Sequence, residues 1–222
     1  MTHKNEENKM PTNIYLIRHG ESEGNLHNMF LGHYDLPLTP KGVAQAQVTA
    51  NYLKDIKVDV IYSSDLKRAY GTAECTAELL GMPIIKDERF REIFAGKWEG
   101  MPFMGIGDTY KESFDTWLNN FGHARCDGGE SVVELKERII SALADIAKSN
   151  DQKTVFVFTH ATPIRLFAAH CLGKTVDEYK DVPWAANASV TRSVYEDGKF
   201  QLVEYGKADF MGDLVTRFSK NV

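Results

Sequence analysis

Three short apolar runs constrain this chain more than any other feature. They are residues 13–20 ("NIYLIRHG"), 58–64 ("VDVIYSS") and 153–160 ("KTVFVFTH"). Each is rich in β-branched or aromatic residues and nearly continuous in apolar character, the pattern of strands covered on both faces of a parallel sheet. Each then runs through polar residues into a helix-like stretch. After the first, Thr39 is placed as an N-cap and Pro40 at the first helical position, with Val43, Ala46, Ala50 and Leu53 at helical spacing. After the second, "DLKRAYGTAECTAELLG" stops at Gly81. After the third, "TPIRLFAAHCLG" also ends in glycine. Strands alternating with helices predict an α/β fold with a mostly parallel central sheet and helices on both faces.

The remaining segments fill in that plan. Residues 108–121 are amphipathic around Phe114, Trp117 and Leu118, and 131–149 predict the longest helix, opened by a Ser131/Glu134 capping box. Asp197-Gly198 signals a hairpin between two late strands. The glycine-rich stretch 100–108 is the best candidate for a mobile loop, and the 93–130 region forms a small cap. Residues 207–222 give no assignment. The expected organisation is a polar, flexible leader over 1–12 and a single domain over 13–222.

Composition limits the function. A chain of 222 residues with 43% hydrophobic and 26% charged residues suits a soluble globular protein. The net charge of −5 gives no long-range attraction to nucleic acid or an anionic membrane, so neither is an expected partner. No apolar run approaches the ~20 residues of a membrane helix. Residues 1–10 are polar and do not resemble a signal peptide. Cys75, Cys126 and Cys171 are odd in number and match no metal-binding spacing. They predict a cytoplasmic protein with buried structural thiols.

In open α/β sheets ligands sit beyond the carboxyl ends of the strands. The first run ends in Arg18-His19, the second in Ser63-Ser64 with Arg68 shortly after, the third in Thr159-His160. Taken singly, a histidine at a strand end is most often a hydrogen-bonded rim residue, and Arg68 a solvated charge. Side by side, two arginines and two histidines repel one another unless an anion belongs between them. A phosphoryl group fits two guanidinium forks best. A metal site is disfavoured: no His-x-His or His-Glu-x-x-His occurs, and Arg18 adjoins His19.

The runs "LIRHGESEGN", "GHYDLPLTPKGVAQA", "SSDLKRAYGTAE", "REIFAGKWEGM", "GGES" and "FTHATPIRLF" resemble, in order and spacing, the motifs of the histidine phosphatase superfamily, in its phosphoglycerate mutase-like branch. The resemblance covers residues 13 to about 167. It implies that His19 is a nucleophile that takes the phosphoryl group, with its second ring nitrogen donating to an acceptor such as a backbone carbonyl. It implies that Arg18, Arg68 and His160 grip the phosphoryl oxygens, and that Asn25, Gly32 and Ala161 complete the substrate site. Glu92 matches the general acid, a role suited to a carboxylate whose proton affinity is raised by burial. Glu21 has a weaker claim, and Glu130 fits a turn and helix start. Two departures appear. Ala161 stands where the family usually has glycine, and Tyr70-Gly71 are atypical within their helix.

The resemblance implies a phosphomonoester hydrolase acting on a small phosphorylated metabolite, without metal or other cofactor. Mutases of the family carry an arginine-bearing insertion after the general acid. Here 93–129 is short and offers Lys97, Lys111, His123 and Arg125, with no paired arginines. It also offers Phe94, Trp98, Phe103, Phe114, Trp117 and Phe121, a cap suited to a less charged leaving group unless these rings are core. A cofactor-dependent mutase is the alternative enzyme, and a non-catalytic phosphate-binding module the alternative outside enzymes.

Overall fold

The computed structural model describes residues 10–216. Its strands are β1 (Thr12–Arg18), β2 (Met29–Phe30), β3 (Val60–Ser63), β4 (Ile84–Lys86), β5 (Met101–Pro102), β6 (Thr154–Thr159), β7 (Val190–Glu196) and β8 (Lys199–Lys207). Its α-helices are α1 (Glu23–Leu26), α2 (Pro40–Leu53), α3 (Lys67–Leu80), α4 (Ile106–Thr109), α5 (Lys111–Asn119), α6 (Val132–Ser149) and α7 (Ala161–Cys171). Six strands form one sheet in the order β4-β3-β6-β1-β7-β8. The first four run parallel, and β7 and β8 complete the sheet antiparallel. The three apolar runs are therefore adjacent, as β3, β6 and β1.

The strand pleat explains why these runs are apolar throughout. Successive side chains point to opposite faces. Ile14, Leu16, Val155 and Val157 pack with Leu135, Ile139 and Leu143 of α6 and Phe167 of α7. Their neighbours Ile17, Phe156 and Phe158 pack on the other face with Leu53 of α2 and Ala73 and Ala77 of α3. The punctuation residues act as expected. The Thr39 hydroxyl accepts from Gly42 N ahead of Pro40. Gly81 ends α3 in the left-handed region. Ser131 and Glu134 form a reciprocal capping box on α6. Asp197 and Gly198 both take positive φ at the β7–β8 turn, as a twisted two-residue hairpin requires.

Several expectations need correction. Thr12 is not part of a flexible segment: it opens β1, is 1% exposed, and its hydroxyl donates to Asn150 O. The amphipathic stretch 108–121 is broken at Tyr110 (φ −120°, ψ 51°), which leaves α4 and α5 as separate helices. The glycine-rich stretch 100–108 is no structureless loop. It pairs as β5 with β2, then turns into α4 with Ile106 fully buried. Only Cys126 is buried; Cys75 and Cys171 are half-exposed. Val43 faces outward on α2. In the unassigned 207–222, Lys207 ends β8 and Phe210 stacks on Tyr52 at 4.2 Å; residues 217–222, like 1–9, lie outside the described residues.

Candidate active site

The strands stop one residue short of the chemistry. β1, β6 and β3 end at Arg18, Thr159 and Ser63, so His19, His160 and Ser64 are the first residues beyond the sheet. Two further bonds extend the ladder and fix this rim: His19 N donates to Thr159 O (3.0 Å) and Ser64 N to Phe158 O (2.9 Å). The rings of His19 and His160 lie 5.2 Å apart. The loop carrying His19 lies directly on the start of α2. A Cβ on Gly20 would fall 2.4 Å from Gly42 O, and one on Gly42 1.9 Å from Glu21 O, so both positions exclude a side chain.

His19 Nδ1 lies 2.7 Å from Gly20 O. A carbonyl only accepts, so Nδ1 carries the proton and Nε2 keeps its lone pair. Burial, then the charges of Arg68 and Arg18, hold this imidazole well below the usual histidine pKa, so it is neutral at pH 7. His160 is depressed in the same way, by burial first and then by Arg68. Its Nε2 pairs with Ser64 Oγ at 2.8 Å, and its Nδ1 has no partner among the described residues.

Both expected arginines are buried here, and backbone carbonyls orient them. Arg18 Nη1 donates to Ala185 O (2.5 Å); Arg68 donates to Gly32 O (2.7 Å) and Tyr34 O (3.1 Å). Burial pulls both pKa values down to about 10, opposed by the nearby Glu92, so both stay charged at neutral pH. Glu92 is held by two backbone amides, Ile93 N on Oε1 (2.8 Å) and Thr162 N on Oε2 (3.3 Å). Asn25 Oδ1 accepts from Ser22 and Asn187, which leaves its NH2 group without a bond among the described residues. Gly32 takes φ +51°, and a Cβ there would fall 2.5 Å from Ala95 Cβ, so its carbonyl reaches Arg68 only because it is glycine. Ala161 opens α7 at the cavity wall, where a helix N-terminus favours an anion.

Arg18, His19, Asn25, Gly32, Arg68, Glu92 and Ala161 all line one cavity of about 350 Å³. His160 packs against His19 and is 0% exposed. The cavity's upper wall is apolar: Met29, Phe30, Leu31, Phe103, Trp117, Leu118, Phe121 and Trp184. The cap aromatics divide. Phe103, Trp117 and Phe121 reach the cavity, Trp98 and Phe114 are core, and Phe94 lies against His33 outside it, with the two rings tilted by 52°.

Some supporting residues escaped the sequence reading. Ser64 orients His160, and Thr72 takes the Gly20 amide at 3.0 Å. His33 Nε2 (2.9 Å) and Arg138 (3.1 Å) both donate to the Glu92 carbonyl. Glu130 is more than a turn residue: it pairs with Arg138 through both oxygens. Ser64 and Thr72 fall inside a quoted motif and were within reach. Arg138 sits mid-helix with no local signal. Among the described residues, no group of three or more His, Cys, Asp or Glu side chains is placed to hold a metal ion, and no helix is long and apolar enough to cross a membrane.

Comparison with known proteins identifies the family of this fold. Phosphoserine phosphatase 1 of Hydrogenobacter thermophilus is 34% identical over 166 residues, covering 75% of this chain and 79% of that protein. A protein named "Probable phosphoglycerate mutase GpmB" from Escherichia fergusonii is 31% identical, covering 84% and 86%. The solved structure of Bacillus stearothermophilus YhfR superimposes with a TM-score of 0.86 at 29% identity, covering 90% of this chain and 99% of that one. The family model described as histidine phosphatase superfamily (branch 1) matches residues 14–208, nearly the whole described sheet and every residue of the rim, and the chain therefore belongs to the histidine phosphatase superfamily.

Proposed function

We propose that this protein hydrolyses small phosphomonoesters through a phosphohistidine on His19, without a metal. The carrying observation is a neutral His19 with Nε2 unblocked, in a cavity walled by Arg18, Arg68, Asn25 and Glu92. Nε2 attacks phosphorus as the ester oxygen leaves with a proton from Glu92. Water then attacks the phosphohistidine, Glu92 takes a proton from that water, and phosphate departs. Arg18, Arg68 and His160 hold the nonbridging oxygens through both steps. The phosphatase relative supports hydrolysis. The apolar upper wall supports a leaving group with an apolar body. The unpaired cysteines support a reducing, cytoplasmic setting.

An aryl phosphate assay tests the reading. Wild type should release phosphate in the presence of a chelator, and His19→Ala should lose at least ~10³-fold. Turnover that survives His19→Ala overturns the mechanism. Wild type that is folded but inert points to a phosphate-binding module instead. The mutase-named relative makes a second assay necessary. Efficient conversion of 3-phosphoglycerate into 2-phosphoglycerate without phosphate release would assign a mutase.

A further inference from the structure

The tautomer of His19 depends on one peptide group. The Gly20 carbonyl accepts from His19 Nδ1 at 2.7 Å and so leaves Nε2 unprotonated. That carbonyl and the Glu21 N–H belong to the same planar unit, so whatever holds one end orients the other. The Glu21 N–H donates to Gln45 Oε1 at 2.7 Å. Among the described residues the 20–21 unit makes no other hydrogen bond. The preceding peptide is held separately, by Thr72 on the Gly20 N–H.

Gln45 lies on α2 and is 0% exposed. Its amide is fully committed: Nε2 donates to Leu214 O (2.7 Å) and to Thr216 Oγ1 (3.0 Å). A backbone N–H only donates and a backbone carbonyl only accepts, so these partners fix which end of the amide faces the loop. Turned over, the amide would set N–H against N–H and oxygen against oxygen at a fully buried site. Leu214 lies 169 residues from Gln45 in the sequence. Its segment is anchored nearby: Phe210 stacks on Tyr52 of α2, 4.2 Å away, and Met211 is buried. We infer that Gln45 is a positioning residue for the nucleophile, and that the 209–216 segment holds Gln45 in that role. The effect on rate rests on the phosphohistidine reading; the effect on the ring rests on the geometry alone.

Methionine at position 45 would keep the length of the side chain and remove both acceptor and donors. The 20–21 peptide is then free to turn, and the His19 proton can move to Nε2, where it blocks the lone pair that attacks phosphorus. Long-range proton–nitrogen NMR spectra of the isotope-labelled protein at pH 7 read the tautomer directly. In wild type the His19 signal, identified by its absence from His19→Ala, should show a protonated Nδ1 and a bare Nε2. Gln45→Met should shift it toward the Nε2-protonated form and lower kcat for an aryl phosphate by about 10- to 100-fold, as misplaced reacting groups do. The inhibition constant of inorganic phosphate should not change, because Arg18 and Arg68 hold that anion. Thr216→Val leaves Nε2 one of its two acceptors and should produce the same shift at smaller amplitude. A Gln45 that served only as packing would lower Tm and leave the ring signature alone. An unchanged signature or an unchanged kcat in folded Gln45→Met overturns the inference. A phosphate constant that rises as far as kcat falls places the loss in anion binding and also overturns it. If Gln45→Met does not fold, Thr216→Val decides by the same readings. If wild type turns over no ester, the phosphatase reading fails separately, and the ring signature alone judges Gln45.

Discussion

Arg138→Met is the most informative single substitution away from the reacting atoms. Arg138 commits all five of its N–H donors. Nε and Nη2 grip the two Glu130 oxygens at 2.9 and 2.8 Å. Nη1 reaches Arg89 O (2.7 Å) and Arg91 O (3.0 Å), and Nη2 also reaches Glu92 O (3.1 Å). The long helix α6 thereby fastens the segment that carries the general acid. Methionine keeps most of the stem but none of the donors. The Glu92 carbonyl retains His33, while those of Arg89 and Arg91 lose their side-chain partner. The partly buried Arg91 acceptor at about 1 kcal/mol and the partly buried ion pair at a similar value sum to roughly 2 kcal/mol, and the exposed Arg89 carbonyl, which water can satisfy, adds little. At about 2–4 °C per kcal/mol for this chain length, Tm should fall by roughly 4–8 °C. Activity should fall selectively. A misplaced general acid slows esters with poor leaving groups by about 10-fold or more, and leaves nitrophenyl esters nearly unaffected because their leaving oxygen needs no proton. Rates for a series of aryl and alkyl phosphates, plotted against leaving-group pKa, should steepen in the variant. A parallel drop across the series, or an unchanged Tm, would refute the clamp.

Other outcomes follow from the same geometry. His19 and His160 have folded pKa values depressed below the unfolded value of about 6.5, so the unfolded chain takes up protons first. Their contribution is fully present above pH 6.5 and declines as pH falls toward the folded values, by up to about 1.4 kcal/mol per pH unit for each histidine. Urea melts at pH 7.5 and 5.5 should show a smaller decline in His160→Gln than in wild type; equal declines would contradict the assignment. Vanadate at 100 times its Kd should stabilise wild type by about 2.7 kcal/mol in thermal melts, and Arg68→Met should lose most of that gain. Gly71 in α3 has room for a methyl group, with Leu38 Cδ1 3.6 Å from the added Cβ, so Gly71→Ala should raise stability by up to about 1 kcal/mol with activity retained. A lower Tm would show that this glycine has a packing role the contacts do not reveal.

The parts legible in the sequence are those set by local chemistry. Continuous apolar runs identified β1, β3 and β6, because strands covered on both faces need apolar residues at every position. Thr39-Pro40, Gly81 and Ser131/Glu134 marked helix ends through bonds made within a few residues. The rim was legible because parallel strands bring their last residues to one edge, which placed Arg18, His19 and His160 together. What escaped depends on long-range geometry. Arg138 lies 46 residues from the Glu92 carbonyl it holds, and Gln45 lies 169 from Leu214. No periodicity records such contacts. The split at Tyr110 was missed for a related reason: the amphipathic pattern continues across the break, so spacing alone joins α4 to α5. Which of the cap aromatics are core is not legible either: Trp98 and Phe114 face inward while Trp117 and Phe121 border the cavity, a division set by how β5 and the short helices turn.

The rim is built against folding stability, and that explains its chemistry. Buried polar atoms in folded proteins nearly always find partners. Here Arg68 Nε and His160 Nδ1 find none among the described residues, although both residues are almost fully enclosed. Ser64 Oγ accepts from Leu66 N, 3.4 Å away, and its own proton is then free to bond His160 Nε2. That arrangement places the imidazole proton on Nδ1. The neutral ring thus remains a donor beside a neutral nucleophile, and two fixed guanidinium groups supply the charge. A phosphoryl dianion beside Arg68 would favour protonation of His160, which burial and the Arg68 charge disfavour. Interactions oriented before the substrate arrives need little reorganisation during the reaction.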